Sequence, residues 1–208
     1  MMAIWRIALL ALAAPVAVFT LYTALRAVTE SWDNDAFPEA LAVKLELLPA
    51  VFPVHMVAGG LALVLVPLTL LARGTRFHRW LGRITAADVV IAGATAIPVA
   101  LEAPVTAVSA AGFFTQGVLW MSLCGLGIWH IRNGRVEQHR RAMLLMAAVT
   151  SGAMFFRIWL ALWMHYGWPR HFKTFYACDA WIAWGIPFLI MLAVTWPRGP
   201  RQVLAAPR

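Results

Sequence analysis

Two His-Arg pairs stand where a basic segment turns back into a long apolar run. They are His78-Arg79 and His139-Arg140, and each is followed at the same offset by two alanines, Ala86-Ala87 and Ala147-Ala148. Haem iron in electron-transfer proteins is commonly held by two axial imidazoles from facing helices, and a guanidinium binds a carboxylate such as a haem propionate in a fork. The spacing therefore predicts one haem b per chain, with the two histidines as iron ligands and the two arginines beside the propionates. Binding of anionic phospholipid head groups and plain packing of a helical hairpin are alternatives that the same pairs allow.

The composition indicates which elements must position these residues. Hydrophobic residues make up 62% of the 208 residues and charged residues 12%, with a mean hydropathy of +0.75. Apolar runs of about twenty residues, the length that crosses roughly 30 Å of hydrocarbon, recur along the chain. We expect an all-α polytopic membrane protein that forms one integral membrane domain over residues 1–208. Its six predicted transmembrane helices cover residues 4–28, 48–71, 81–101, 107–131, 142–165 and 176–196, and spans two to five are expected to form a four-helix core of two pseudo-repeated hairpins.

The charged residues predict the orientation of these spans. Arginines concentrate in the segments after spans two and four and in the C-terminal tail, whereas the segment at residues 29–47, expected to be a loop, is mostly acidic. Since basic loops stay in the cytoplasm, both termini are predicted to be cytoplasmic. We expect the first span to be an uncleaved helix, because its apolar run is too long for a typical signal peptide. The net charge of +8 then reflects topology and attraction to anionic lipid, and no nucleic-acid partner is expected.

A second group of ionisable residues is predicted deeper in the membrane, in its outer half. His55 lies about seven residues inside span two, and Arg157 lies at a similar depth in span five. Such residues are costly in hydrocarbon and are candidate functional residues, so they predict an outer-half ligand or quinone site. Asp179, near the outer start of span six, is the candidate partner of Arg157 within the protein. The alternatives are an Arg157–Asp179 ion pair that locks two helices, a haem propionate, a quinone carbonyl, a phospholipid phosphate and, for His55, a neutral imidazole bonded to a carbonyl.

These residues form a pattern that resembles a bacterial family. The segments His55-x-x-x-Gly59-Gly60, His78-Arg79-Trp80-Leu81-Gly82-Arg83 and His139-Arg140-Arg141-x-Met143, followed by Arg157, resemble the predicted membrane proteins of domain of unknown function 2306. The resemblance covers the chain from about span two to span six. It implies a multi-pass protein of the bacterial inner (plasma) membrane and carries no established activity.

A looser similarity is to the six-span ascorbate-type membrane b cytochromes. One haem layer there is held by spans three and five and the other by spans two and four. His78 and His139 match the first pair and His55 matches the ligand of span two, but span four has only Gln116 at that depth. The similarity therefore implies a one-haem relative. The segment from His139 to Met143 also looks like small membrane proteins needed for maturation of haem-copper oxidases.

Three hypotheses follow. The first is a membrane b-type cytochrome-like protein that passes electrons between a membrane quinol and a respiratory-chain partner. The alternative is a non-enzymatic assembly or metal/haem-handling factor for a respiratory complex, and the third is a transporter or a structural membrane protein. No G-x-S-x-G, H-E-x-x-H or phosphate-binding glycine-rich motif is present, so hydrolytic chemistry is not expected.

Overall fold

A computed structural model describes residues 39–196, with the side chains of residues 43–196. The first predicted span, residues 4–28, lies outside the described residues. Secondary structure within the described part is entirely helical. The helices are α1 (Glu39–Leu47), α2 (Val51–Leu71), α3 (His78–Leu101), α4 (Ala107–Arg132), α5 (Val136–Tyr166) and α6 (Phe172–Thr195), the last preceded by a 3-10 turn at Pro169–His171.

The five helices α2 to α6 are each long and apolar enough to cross a membrane. Their observed ends agree with the predicted ends of spans two to six to within one residue, whereas the starts differ by up to six residues, as at 136 observed and 142 predicted. The difference arises because hydropathy marks only the apolar part of a helix. The polar residues Glu137 to Arg141 are helical as well, and they extend α5 beyond the apolar run.

Helix α1 corrects the prediction of a loop over residues 29–47 for its part from Glu39 to Leu47; residues 29–38 lie outside the described residues. Its sequence, EALAVKLEL, consists of residues that favour helix, although nine residues are too few for a stable isolated helix. Lys44 supplies the missing contact, because its Nζ donates to the carbonyls of Val99 at 2.7 Å and Glu102 at 2.6 Å. An ammonium group at the C-terminus of α3 satisfies carbonyls that no helical N–H can reach. Burial lowers the pKa of Lys44, and the charge of Glu102 opposes that shift.

Helices α2 to α5 form a four-helix bundle. Each helix packs against the next one in the chain, and α2 also packs against α5, which closes the bundle. Consequently α3 and α5 occupy opposite corners and run in the same direction. The bundle has one end at residues 72–77 and 133–135, here called the arginine end, and an opposite end at residues 102–106. Its core consists of Ala58, Ala62, Val66, Val89, Ala92, Trp120, Leu123, Cys124, Leu145, Met146 and Val149.

Helix α6 packs outside the bundle, against α4 and α5. Two glycines allow this close approach: a Cβ at Gly112 would lie 2.8 Å from the carbonyl oxygen of Ala180, and one at Gly152 would lie 2.8 Å from Cα of Trp184. Small residues at such contacts let helix backbones approach within a membrane. The side chains that α6 turns towards this contact therefore become buried.

Candidate functional site

His78 is the first residue of α3 and is half-buried at the arginine end. Its Nδ1 lies 2.9 Å from the carbonyl oxygen of Thr69 in α2. The Thr69 hydroxyl in turn lies 2.7 Å from that of Thr85, which donates to the carbonyl of Leu81 at 2.8 Å. The α2–α3 hairpin is therefore held by a chain of polar contacts that orients the His78 imidazole.

His139 makes the corresponding contact in the next hairpin. It lies in the first turn of α5 and is half-buried, and its Nδ1 lies 2.8 Å from the carbonyl oxygen of Gly127 in α4. A carbonyl oxygen can only accept, so Nδ1 carries the proton in both His78 and His139. The lone pair of each neutral ring is then on Nε2, the nitrogen that remains for a metal.

The arginines beside these histidines face solvent or lipid head groups. Arg79 and Arg140 are both exposed. Arg140 Nη1 lies 3.6 Å from Oε1 of Glu137, one turn earlier on α5. This pair is exposed on both sides and contributes little stability. Both guanidinium groups are nevertheless at the same end of the bundle as the two imidazoles.

His55 lies one turn inside α2, at the opposite end. Its Nδ1 lies 3.0 Å from the carbonyl oxygen of Ala92 in α3, with the Thr95 hydroxyl at 3.5 Å from the same nitrogen. The alternative proposed for this residue, a neutral imidazole bonded to a carbonyl, matches the geometry. Its Nε2 carries the lone pair for the reason given above for the other two histidines. Thr95 was not identified from the sequence as a neighbour of His55.

Arg157 does not extend its side chain towards the nearest membrane surface. It lies nine residues before the end of α5 at Tyr166, and its Nη1 donates to the carbonyl of Ala153 at 2.8 Å, one turn back towards the middle of the helix. Arginines near helix ends usually extend outward to the interface. The guanidinium is instead directed towards the interior of α5, which packs against α2, the helix that carries His55.

Asp179 is fully buried on α6 at 0% exposure, and neither carboxylate oxygen has a hydrogen-bond partner. The ion pair with Arg157 considered from the sequence is not formed between these described side chains, so that alternative was wrong. The two residues do lie at a similar height, because Gly152 faces Trp184 and Phe156 lies edge-on to Tyr176 at 5.3 Å. The guanidinium has turned one helical turn away from that height. The structure therefore leaves Arg157 and Asp179 without a mutual hydrogen bond.

Two further polar contacts cross the bundle near its middle. Trp120 Nε1 donates to the Thr150 hydroxyl at 2.8 Å, and both residues are buried. Gln116 Nε2 donates to the carbonyl of Val149 at 3.3 Å. The sequence places Thr150 on the same helical face as Arg157, which indicated that Thr150 would be buried. Nothing in the sequence indicated that it would pair with Trp120. These contacts join α4 to α5 and stabilise the bundle on which the histidines are mounted.

The donor set limits the kinds of metal site that are chemically reasonable. No group of three or more His, Cys, Asp or Glu side chains that could hold a metal ion occurs among the described residues. Structural zinc sites use four protein ligands, so a site of that kind is not formed there. A bis-imidazole haem site needs only two protein ligands.

Comparison with known proteins identifies the family. The family model described as "Predicted membrane protein (DUF2306)" matches residues 52–195, well over half of the chain, and the protein belongs to this family. The match runs from the start of α2 to the end of α6 and contains His55, His78, His139 and Arg157. No curated protein and no solved structure matches the chain. The resemblance seen in the sequence is thereby confirmed for the family, while the looser similarity to b cytochromes gains no support.

Proposed function

We propose that this protein is a membrane cytochrome of b type that holds one haem between His78 and His139. The observation that carries the proposal is the pair of matching Nδ1–carbonyl contacts, at 2.9 and 2.8 Å. A histidine that binds a metal through one nitrogen almost always donates its other N–H to a carbonyl, carboxylate or water, which fixes the tautomer and makes the ligating nitrogen more basic. Both residues already have the hydrogen bond that such a ligand requires.

The positions of the helices support the same proposal. His78 and His139 begin two helices at opposite corners of the bundle and at the same end. We infer that α2–α3 and α4–α5 are two copies of one hairpin, each with a histidine in the first turn of its second helix that bonds back to its first helix. Ala86 and Ala147, each eight residues after its histidine, both pack against the core.

The residues of this chain would act on the cofactor in defined ways. His78 and His139 would ligate the iron, and the carbonyls of Thr69 and Gly127 would keep their rings oriented. Bound haem supplies reversible one-electron transfer. We propose that the electrons pass between a membrane quinol and a respiratory-chain partner, in a multi-pass protein of the bacterial inner membrane with both termini in the cytoplasm.

One observation favours the alternative function, a non-enzymatic assembly or haem-handling factor for a respiratory complex. Arg79 and Arg140 are exposed, and Arg140 is near Glu137. Without a guanidinium directed into the bundle, the propionates would be held at the surface and haem would leave more readily. This alternative predicts substoichiometric haem that transfers to an apo-acceptor such as apomyoglobin, whereas a resident cytochrome keeps its haem under the same conditions.

The test uses two kinds of substitution at each histidine. His78→Asn and His139→Asn keep a side-chain N–H close to the position of Nδ1 but remove Nε2, whereas His78→Ala and His139→Ala remove both. Haem per chain is measured by pyridine haemochrome on protein purified in mild detergent from haem-replete cells. The proposal predicts that all four variants lose haem and that His171→Ala, an exposed control, keeps it. Haem retained by the asparagine variants would contradict ligation through Nε2.

A further inference from the structure

The second group of ionisable residues, His55 and Arg157, has a property that the haem site does not explain. His55 on α2 and Arg157 on α5 belong to helices that pack against each other, and both residues lie within membrane-spanning segments. Both side chains can donate hydrogen bonds and carry positive charge. Among the described side chains, the one ion pair is between Arg140 and Glu137, so no carboxylate in that part of the chain neutralises Arg157. A guanidinium buried in a low-dielectric region requires a partner that accepts hydrogen bonds.

The partner is not Asp179, although that carboxylate is available. Its oxygens have no hydrogen-bond partner, and the Arg157 side chain is directed one turn away from it, to the carbonyl of Ala153. The guanidinium is thereby brought to the level of Gly152, which faces Gln116 of α4. The next residue of α4, Gly117, faces Gly93 of α3, beside the carbonyl that holds His55, so the two groups lie at the same level of the bundle. The bond to Ala153 uses one of the five N–H groups of the guanidinium.

His55 is prepared for a ligand in a similar way. Its Nδ1 is fixed by the carbonyl of Ala92, with Thr95 beside it, so the ring is oriented and Nε2 is left for another partner. A neutral imidazole in this tautomer accepts at Nε2, and a protonated imidazole donates there. Together with the guanidinium donors, this arrangement suits a hydroxyl or carbonyl group that gains or loses a proton.

We infer that His55 and Arg157 form a binding site for the head group of a membrane quinone, with Arg157 donating to a ring oxygen and His55 bonding to the same group. The oxygen of a quinone or quinol accepts from a guanidinium, and its hydroxyl form donates to Nε2, so both redox states can be held. A phospholipid phosphate would also accept from Arg157. Its charge, however, favours the interface, whereas the guanidinium points away from it.

This site is separate from the haem site, and the two can be tested apart. The rise from His78 to Ala92, the residue that contacts His55, is fourteen residues of α3, or about 21 Å. Quinone binding can be measured directly, on protein with or without bound haem. A wild-type protein that binds haem but no quinone, or quinone but no haem, identifies which of the two proposals has failed.

The experiment measures binding of a short-chain ubiquinone analogue to the purified protein by quenching of tryptophan fluorescence. Extraction and chromatography quantify the quinone and phospholipid that co-purify with each chain. The variants are Arg157→Gln and His55→Ala, with Arg157→Lys as the conservative change and Arg170→Gln as a control at an exposed arginine. Circular dichroism and size-exclusion profiles confirm that each variant is folded.

The inference predicts saturable binding to the wild type and at least tenfold weaker binding to both the Arg157→Gln and His55→Ala variants. Arg157→Lys is expected to bind with intermediate affinity, and Arg170→Gln as the wild type does. Equal affinity in the wild type and the folded Arg157→Gln variant would overturn the inference. Co-purification of phospholipid, in place of quinone, that is lost with Arg157 would overturn the quinone assignment.

Discussion

His78 and His139 each use Nδ1 to hold a carbonyl of the preceding helix, at 2.9 and 2.8 Å, from opposite corners of the same four-helix bundle. The two contacts have a structural and a chemical consequence. Each one joins the two helices of a hairpin close to the turn between them, which reduces fraying of the first turn of α3 or α5. Each one also determines which imidazole nitrogen carries the proton, so the same bond that stabilises the hairpin prepares Nε2 for iron.

The first prediction separates these two consequences by stability. His78→Ala and His139→Ala are expected to lower the free energy of unfolding of the haem-free protein by about 1 kcal/mol each, the usual net value of such a hydrogen bond. His78→Asn and His139→Asn are expected to lower it by less, because their amide N–H can still reach the carbonyl. Thermal unfolding in mild detergent measures the difference. Equal losses for alanine and asparagine would show that the Nδ1 contact is not stabilising.

The second prediction concerns the contact between α5 and α6. Gly152→Ala places a Cβ 2.8 Å from Cα of Trp184, a backbone atom that cannot move without displacing α6. We expect a loss of about 1–3 kcal/mol, the range for overpacking. Gly185→Ala is the matched control, because a Cβ there meets no atom within 4 Å. If Gly152→Ala proved as stable as Gly185→Ala in thermal unfolding, α6 would not pack as described.

The third prediction tests the separation of Arg157 from Asp179. In a double-mutant cycle of Arg157→Gln and Asp179→Asn, the coupling energy is expected to be within about 0.5 kcal/mol of zero, as for residues without a shared contact. Asp179→Asn alone is expected to be neutral or stabilising, because neither carboxylate oxygen has a hydrogen-bond partner. A coupling of several kcal/mol in the unfolding measurements would restore the ion pair that the structure replaces.

The fourth prediction follows from the lowered pKa of Lys44. Because burial lowers this pKa below its ordinary value of 10.5, the unfolded chain binds the Lys44 proton more tightly than the folded chain does. The free energy of unfolding therefore gains a contribution that rises with pH from the lowered pKa towards 10.5. The stability of the wild type minus that of Lys44→Met is expected to increase over this range.

The control for Lys44 is Lys173→Met, which removes an exposed lysine. The same stability difference is measured for this variant, which reports the effect of removing an exposed lysine. Unfolding free energies are compared at matched ionic strength across the alkaline range. A flat profile for Lys44→Met as well would mean that Lys44 is not buried against Val99 and Glu102.

The sequence predicted the helices well because membrane spans are defined by length and apolarity, which are local properties. It missed α1, because a helix of only nine residues relies on contacts with the rest of the fold, such as those of Lys44 with the end of α3. Spans end where hydropathy falls, so the polar first turn of α5 was also missed. These errors have a common cause, which is that tertiary contacts decide the structure of polar segments.

The sequence identified the candidate residues by their type and their depth in the membrane. It did not identify the groups that they contact. Sequence position gives the height of Arg157 and Asp179 in the membrane, and that estimate agrees with the α5–α6 register. It does not give the direction of a long side chain, and the Arg157 side chain is directed towards Ala153. The carbonyls that hold His55, His78 and His139 are backbone groups, which every sequence carries at every position, so no residue pattern could identify them.

Haem binding by His78 and His139 is tested most directly by a dithionite-reduced minus oxidised absorbance spectrum. The sample is the wild-type protein, purified in mild detergent from haem-replete cells. If His78 and His139 hold one haem, we expect a sharp α-band and a pyridine haemochrome value near one haem per chain, since one pair of axial histidines binds one iron. A colourless, folded protein that takes up no added haem would contradict the claim that His78 and His139 form a haem site.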